Sequence, residues 1–307
     1  MKHIKIGTRG SQLALYQAGM VKNALESVAS GYTFEIVIIK TKGDKILDIA
    51  LSKIGDKGLF TKELELALER HEIDIAVHSM KDIPTKLPDG LKVGGVLERE
   101  DIRDAFVSNN KKPLLEMTPG NKIATSSLRR KASLLYHNKN LTIIDIRGNI
   151  NTRIKKMESG HCDAMVMAAA GLKRMGLEHY ITEILPPEQY IPAVSQGAIA
   201  METRTNDDDT NKMVDIINHH PTWLEISAER AFMRKLEGGC QIPAGCRTVL
   251  NGAEIFITGF IASTDGEIYL KDELTGYSND AEDLGTDLAE KLLKRGGNKI
   301  LKQIRKT

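Results

Sequence analysis

Asp82, Cys240 and a set of arginines are the residues of this 307-residue chain whose types and spacing suit chemistry. Asp82 stands in H-S-M-K-D-I-P (78–84), on a turn directly after a buried apolar run and beside Lys81. A carboxylate placed there can serve catalysis; an aspartate before X-Pro also commonly bonds turn amides. Cys240, in G-G-C-Q-I-P (238–243), puts a thiol on a flexible loop after a helix, whereas Cys162 lies inside an apolar run. Loop exposure favours reactivity and burial favours packing, and Cys246, close by, stays a rival to Cys240. Arg9, Lys81, Arg129, Arg130, Arg147, Arg153 and Arg174 fall on loops and at the ends of apolar runs. Arginine presents a planar fork of donors suited to carboxylate or phosphate. Thr125-Ser126-Ser127 adds hydroxyls and backbone amides at a helix start, where anions are favoured. Any one arginine can be a solvated surface charge; the group at strand ends points to a polyanionic ligand.

Other candidates carry less. Gly55-Asp56-Lys57-Gly58 lacks the G-x-x-x-x-G-K-[ST] spacing of a nucleotide loop, and reads as a lid or an ordinary connection carrying Lys53, Lys57 and Phe60. The eight histidines show no metal-ligand spacing, and His78 fits a satisfied core residue. Three cysteines make neither a disulfide framework nor a C-x-x-C pair.

Positioning these residues requires regular elements. Strands are expected at 3–8, 34–41, 73–79, 122–127, 141–147 and 162–170, and helices from Ser11 and over 61–70, 127–137 and 150–159. This alternation argues for α/β architecture with largely parallel sheets, whose ligands bind beyond the carboxyl ends of strands. Arg9, 78–82, 126–130 and Arg147 all fall there. After about residue 219 the texture changes to a helix (222–236), strand-like runs (254–263, 267–271) and two helices (281–294, 297–305), which reads as a small α+β domain.

Length alone favours two or three domains. With 41% hydrophobic and 27% charged residues the chain reads as soluble and globular, and its formal charge of +2 gives no sign of a dedicated nucleic-acid binder. No stretch suits a secretory signal or a membrane span, so a cytoplasmic, reduced setting is expected.

Nine ordered blocks carry a family resemblance: T-R-G-S-Q-L-A-L-Y-Q-A (8–18), K-G-D-K-I-L-D through K-G-L-F-T-K-E-L-E (42–65), H-S-M-K-D-I-P, E-R-E-D-I-R-D-A-F-V-S (98–108), T-S-S-L-R-R (125–130), I-R-G-N-I-N-T-R (146–153), A-A-A-G-L-K-R-M-G (168–176), P-A-V-S-Q-G-A (192–198) and A-E-R-A-F through E-G-G-C-Q-I-P (228–243). Together they resemble the porphobilinogen deaminase, or hydroxymethylbilane synthase, family. The resemblance implies head-to-tail joining of four porphobilinogen molecules with loss of ammonia, then release of the linear product by water. It implies a dipyrromethane cofactor held by a thioether to Cys240 and a catalytic carboxylate at Asp82. Arg9, Lys81, Arg129, Arg130, Arg147, Arg153 and Arg174 would bind acetate and propionate arms, helped by Ser11, Gln17, Thr125, Ser126 and Ser127. Lys57, Phe60, Gly148 and Gln196 complete the implied cofactor- and substrate-binding set.

The implied fold is α/β with three domains: two lobes like those of type II periplasmic binding proteins, and a small α+β C-terminal domain. Domain 1 would be 1–97 with 197–215, domain 2 98–196, and domain 3, carrying the cofactor cysteine, 216–307. A monomer without metal, nucleic acid or membrane partner is implied, with porphobilinogen as the small-molecule substrate. The chain departs from the family pattern at Asp56 and Ser195, where glycines are usual, and at Ile102, where proline is usual. A non-catalytic binding protein for an anionic small molecule is the rival reading, and an RNA binder a third, disfavoured by 5% aromatics and the balanced charge.

Overall fold

The computed structural model describes residues 2–45, 58–238 and 242–305. Along the chain, β1 (Lys2–Thr8) and α1 (Gln12–Val28) precede β2 (Tyr32–Ile38), α2 (Lys42–Lys45), α3 (Lys62–Glu69), β3 (Ile75–Ser79) and β4 (Leu91–Val96). A second run holds β5 (Asp104–Ser108), β6 (Lys122–Ala124), α4 (Leu128–His137), β7 (Thr142–Ile144), α5 (Ile150–Glu158), β8 (Ala164–Ala168), α6 (Ala169–Arg174) and β9 (Ile181–Ile184). The last run holds β10 (Ile199–Arg204), α7 (Asp208–Ile216), α8 (His220–Lys235), β11 (Ala244–Asn251), β12 (Glu254–Ala262), β13 (Tyr269–Tyr277), α9 (Ala281–Leu292) and α10 (Asn298–Ile304).

These elements form two compact units. The first gathers 2–45, 58–100 and 197–223; the second gathers 101–196, 224–238 and 242–305 of the described residues. In the first, five strands run in the order β2-β1-β3-β10-β4. Alternation in β1 turns Ile4 and Ile6 toward Ala18, Val21 and Leu25 of α1, whose three- and four-residue spacing makes one apolar stripe. Leu64, Ala67 and Leu68 of α3 cover the other face against Ile73 and Ala76. Asp207 starts α7 by accepting a bond from the Thr210 amide at 3.2 Å.

The second unit repeats the arrangement, in the order β7-β6-β8-β5-β9. In each five-stranded sheet three parallel strands adjoin an antiparallel fourth, β10 or β5, which pairs on its far side with an edge strand. The two five-stranded sheets thus share one mixed topology. It corrects the expectation of largely parallel sheets. β5 and β10 stand just after two of the points where the chain passes between units, and both run against their neighbours.

The second unit also holds the antiparallel sheet β11-β12-β13, covered by α8, α9 and α10 around Phe232, Ile257, Leu288 and Leu292. β11 begins against the lobe: a Cβ on Gly245 would stand 2.6 Å from the Pro192 carbonyl oxygen, so this position needs glycine. Glu229 of α8 is fully buried and accepts bonds from the Ser195 amide at 2.6 Å and the Thr248 amide at 3.0 Å. Ser195, where the family usually has glycine, is buried with φ of 62°.

Candidate active site

In the first unit the residues that follow β1 and β3 meet in one pocket of about 70 Å³, which Arg9, Ser11, Gln17, Phe60, Ser79 and Asp82 help to line. Each is set by local structure. Ser11 caps α1, its Oγ accepting from the Ala14 amide at 3.3 Å. The Arg9 guanidinium lies 4.1 Å from the Phe60 ring centroid, a cation–π contact that holds the charge over the pocket. Buried Gln17 meets Ser79, its amide nitrogen donating to Oγ at 2.9 Å. Ser79 leads into the 3-10 turn Met80–Asp82, which carries half-buried Lys81 and exposed Asp82. The Met80 amide donates to the Ala198 carbonyl at 3.0 Å and pins that turn to the edge of β10. Arg9, Ser11, Phe60 and Asp82, each singled out from the sequence, are brought to this one pocket. Gln17 is placed as a support of the Asp82 turn through Ser79.

The second unit assembles the arginines differently. Thr125, Ser126 and Ser127 form the turn before α4: Ser127 Oγ caps the helix by accepting from the Arg130 amide at 3.4 Å. Thr125 Oγ1 accepts from the Ser127 amide, and Ser126 Oγ donates to the Ile146 carbonyl at 2.9 Å. Arg129 and Arg130 are 4% and 8% exposed and converge on fully enclosed Asp104 at 2.9 and 2.7 Å. Arg129 also donates to the Ile191 carbonyl and Arg130 to the Val166 carbonyl. Gln196, fully buried, donates to Asp104 at 2.9 Å and to the Ile102 carbonyl at 2.8 Å. Burial resists ionisation of Asp104, and the two guanidinium charges outweigh it, holding the carboxyl well below the usual range. Most donors of Arg129, Arg130 and Gln196 are therefore engaged within the protein.

Arg147 and Arg153 flank Gly148, whose φ of 116° and 2.7 Å approach of a Cβ to Thr152 Cγ2 demand glycine. Arg153 Nε donates to the Gly148 carbonyl at 2.8 Å, which ties the two arginines to one turn at the start of α5. Arg174 is buried at the end of α6.

Cys240 and Lys57 lie outside the described residues, as does Asp56. Of the other thiols, Cys246 is wholly enclosed in β11, and burial pushes the Cys162 thiol up to about 11. Neither suits nucleophilic chemistry. Among the described residues no group of three or more His, Cys, Asp or Glu side chains is placed to hold a metal ion. No described helix is long and apolar enough to cross a membrane.

Sequence reasoning missed Asp104, the centre around which two arginines and a glutamine are organised. His78 is the satisfied core residue expected, but its partner behind the Asp82 pocket was missed: His78 Nε2 stands 3.0 Å from Glu202 Oε2, with Glu65 of α3 nearby. The available signal was an acid within a short strand-like run that also carries apolar residues, since a buried charge needs a partner.

Residues 4–212 match the family described as "Porphobilinogen deaminase, dipyromethane cofactor binding domain", and residues 223–294 match "Porphobilinogen deaminase, C-terminal domain". A porphobilinogen deaminase of Geobacter sulfurreducens is 48% identical over 304 residues, 99% of this chain and 95% of that relative. One from Syntrophomonas wolfei is 48% identical over 310 residues, covering all of both chains. One from Pelotomaculum thermopropionicum is 47% identical, covering 99% of this chain and 97% of its own.

Proposed function

The chain belongs to the porphobilinogen deaminase family, and from that premise we propose how its residues divide the work of a hydroxymethylbilane synthase. The enzyme is a transferase of tetrapyrrole biosynthesis that polymerises four porphobilinogen molecules on a dipyrromethane primer, releases four ammonias and frees hydroxymethylbilane by hydrolysis. The observation that carries the residue assignment is the pocket shared by Arg9, Phe60 and Asp82. It offers a carboxylate to pyrrole N–H groups and a guanidinium to an acetate or propionate arm, and this donor set fits a dipyrromethane. When bound, that group supplies a pyrrole α-carbon from which the chain grows.

Asp82 is the charge-stabilising group. Ammonia leaving the substrate's aminomethyl carbon leaves positive charge that the ring spreads to its nitrogen, and a preorganised carboxylate beneath the N–H stabilises it as it develops. Arg9 orients the ring through its acidic arm, held in place by Phe60. Gln17 and Ser79 fix the backbone that carries Asp82. Ser11 lines the same pocket, Lys81 stands next to Asp82 in its turn, and Lys57 is assigned a role in binding substrate or cofactor.

In the second unit, Arg147, Arg153 and Arg174 bind carboxylate arms of the substrate and growing chain, aided by Thr125, Ser126, Ser127 and Gly148. Arg129, Arg130 and Gln196 enter through the Asp104 cluster, which sets the shape and charge of that wall. Cys240 anchors the primer by a thioether. We propose three domains, 1–97 with 197–215, 98–196 and 216–307, and a monomer that works in the cytoplasm.

The test is the intact mass of freshly purified protein beside Cys240→Ser. The wild type is expected to carry the added mass of two linked pyrrole units and the variant none. A wild type that lacks the adduct and does not acquire it from porphobilinogen would overturn the mechanism, and an adduct that persists in the variant would overturn the anchor.

A further inference from the structure

The pocket that holds Asp82 is backed by ionisable groups to which the reaction as described gives no task. His78 points from β3 toward α3, and Glu202 reaches it from β10, where Ala200 is paired with His78 and Glu202 with Ala76. The imidazole is 6% exposed and the glutamate fully buried, yet His78 helps to line the pocket that Asp82 lines. Thr61, one turn before Glu65, lines it too. Two carboxylate oxygens in this group, Glu202 Oε1 and Glu65 Oε1, are buried and have no hydrogen-bond partner among the described residues. An enclosed carboxylate with open lone pairs is costly unless a proton visits it. Burial pushes the Glu65 carboxyl up and the negative charges of Glu202 and Glu69 add to that, while the Thr61 hydroxyl and the nearby His78 oppose it. Arg204, the other charged residue on this side of β10, is committed to the Leu68 and Ile73 carbonyls and to Asp74 and Asp207.

Condensation must dispose of a proton. The acceptor ring's α-carbon bonds to the incoming methylene carbon, then its C–H bond breaks, the electron pair returns to the ring, and a proton leaves. If Asp82 kept that proton it would be neutral when the next ammonia has to depart, and its charge stabilisation would be lost for three further rounds. We propose that the His78–Glu202 pair, backed by Glu65, takes up and hands on the proton released at each condensation. An imidazole that accepts a proton on one nitrogen can shift the other toward the carboxylate, so no net charge has to be created within the core. Passage onward to the ammonia already expelled in that round closes the balance: the aminomethyl ammonium departs as ammonia, which takes up the ring proton and leaves as ammonium ion, with no oxidant or reductant. These residues act at one remove from the reacting carbon.

This inference rests on the family's reaction, and the test separates the two. Glu202→Gln keeps the shape of the group and removes the acceptor. It is expected to fold and carry the primer mass, to turn over roughly tenfold or more slowly with KM little changed, and to show a primary isotope effect with α-deuterated porphobilinogen. From the second round on, the acceptor ring comes from that substrate, so the isotope reports the C–H step. Intact-mass analysis after brief mixing should show the bound chain lengthening slowly in the variant, a readout independent of product formation. Glu65→Gln should show the same effects more weakly, and His78→Gln stands in should Glu202→Gln fail to fold. Slowing without an isotope effect would mean a structural role and would overturn the proposal, as would wild-type turnover. A wild-type enzyme that does not lengthen its chain on porphobilinogen would instead overturn the functional assignment itself.

Discussion

Asp104→Asn is the substitution whose cost the structure lets us work out most directly. The wild-type carboxylate is enclosed and takes bonds from Arg129 at 2.9 Å, Arg130 at 2.7 Å and Gln196 at 2.9 Å. Asparagine keeps the volume and leaves two guanidinium groups facing one amide oxygen in a buried wall. Removing one partner of a buried ion pair costs about 3–5 kcal/mol, because the remaining charge stays desolvated. The bonds to the Ile191 and Val166 carbonyls survive, so the lower end, about 3 kcal/mol, is expected here. A chain of two units has no single unfolding free energy, and its one tryptophan, Trp223, lies in the other unit. The assay is therefore hydrogen exchange of the amides of β5 and α4, which should open on the order of 10²-fold more readily in the variant.

The same substitution has a defined pH dependence. Burial raises the Asp104 carboxyl and the charges of Arg129 and Arg130 lower it further, so the folded value lies below the unfolded one. A carboxylate depressed in this way contributes its stability above the unfolded value, about 3.9, and loses it as pH falls through the folded value. The difference between wild type and variant should stay flat from about pH 5 to 8 and narrow only below about pH 4. A change in protection under about fivefold, or a difference that titrates between about pH 5 and 8, would refute the reasoning.

Ser195→Gly should stabilise the second unit by about 1 kcal/mol, since it removes both a left-handed non-glycine backbone and a buried hydroxyl without a partner among the described residues. Slower hydrogen exchange of the second unit's amides checks it, and faster exchange contradicts it. Asp82→Asn should fold as the wild type does, because the side chain is exposed, and still acquire the primer. Its turnover should drop on the order of 10²–10³-fold, and near-normal rates in the folded variant would remove Asp82 from its assigned role.

What was legible in the sequence follows from how local each cause is. Strand β1 and helix α1 could be read because alternation at Ile4 and Ile6 and the stripe of Ala18, Val21 and Leu25 are written within a few residues. Arg9 and Asp82 could be placed together because both follow strand ends, where α/β sheets gather ligands. The direction of β10 could not be read, since its partners β3 and β4 lie more than a hundred residues away and nothing in I-A-M-E-T-R states which way it runs. β13 runs from Tyr269 to Tyr277, well past the expected 267–271, because half its residues face solvent and read as polar loop.

Asp104 and Glu202 fall between these cases. Neither the arginine partners of the first nor the histidine of the second is near in sequence, so the pairings could not be derived. That a pairing exists could have been. D-A-F-V-S and I-A-M-E-T-R each place one acid within a strand that the structure buries along its whole length, and such a position is tenable only if an opposite charge or a proton meets it. The first acid is met by two guanidinium groups and holds a wall in place. The second is met by a single imidazole and keeps an oxygen unpartnered among the described residues, beside the pocket that Asp82 lines. The same sequence signal thus leads to a fixed charge in one sheet and to a place for a mobile proton in the other, and the count of cations that reach each acid decides which.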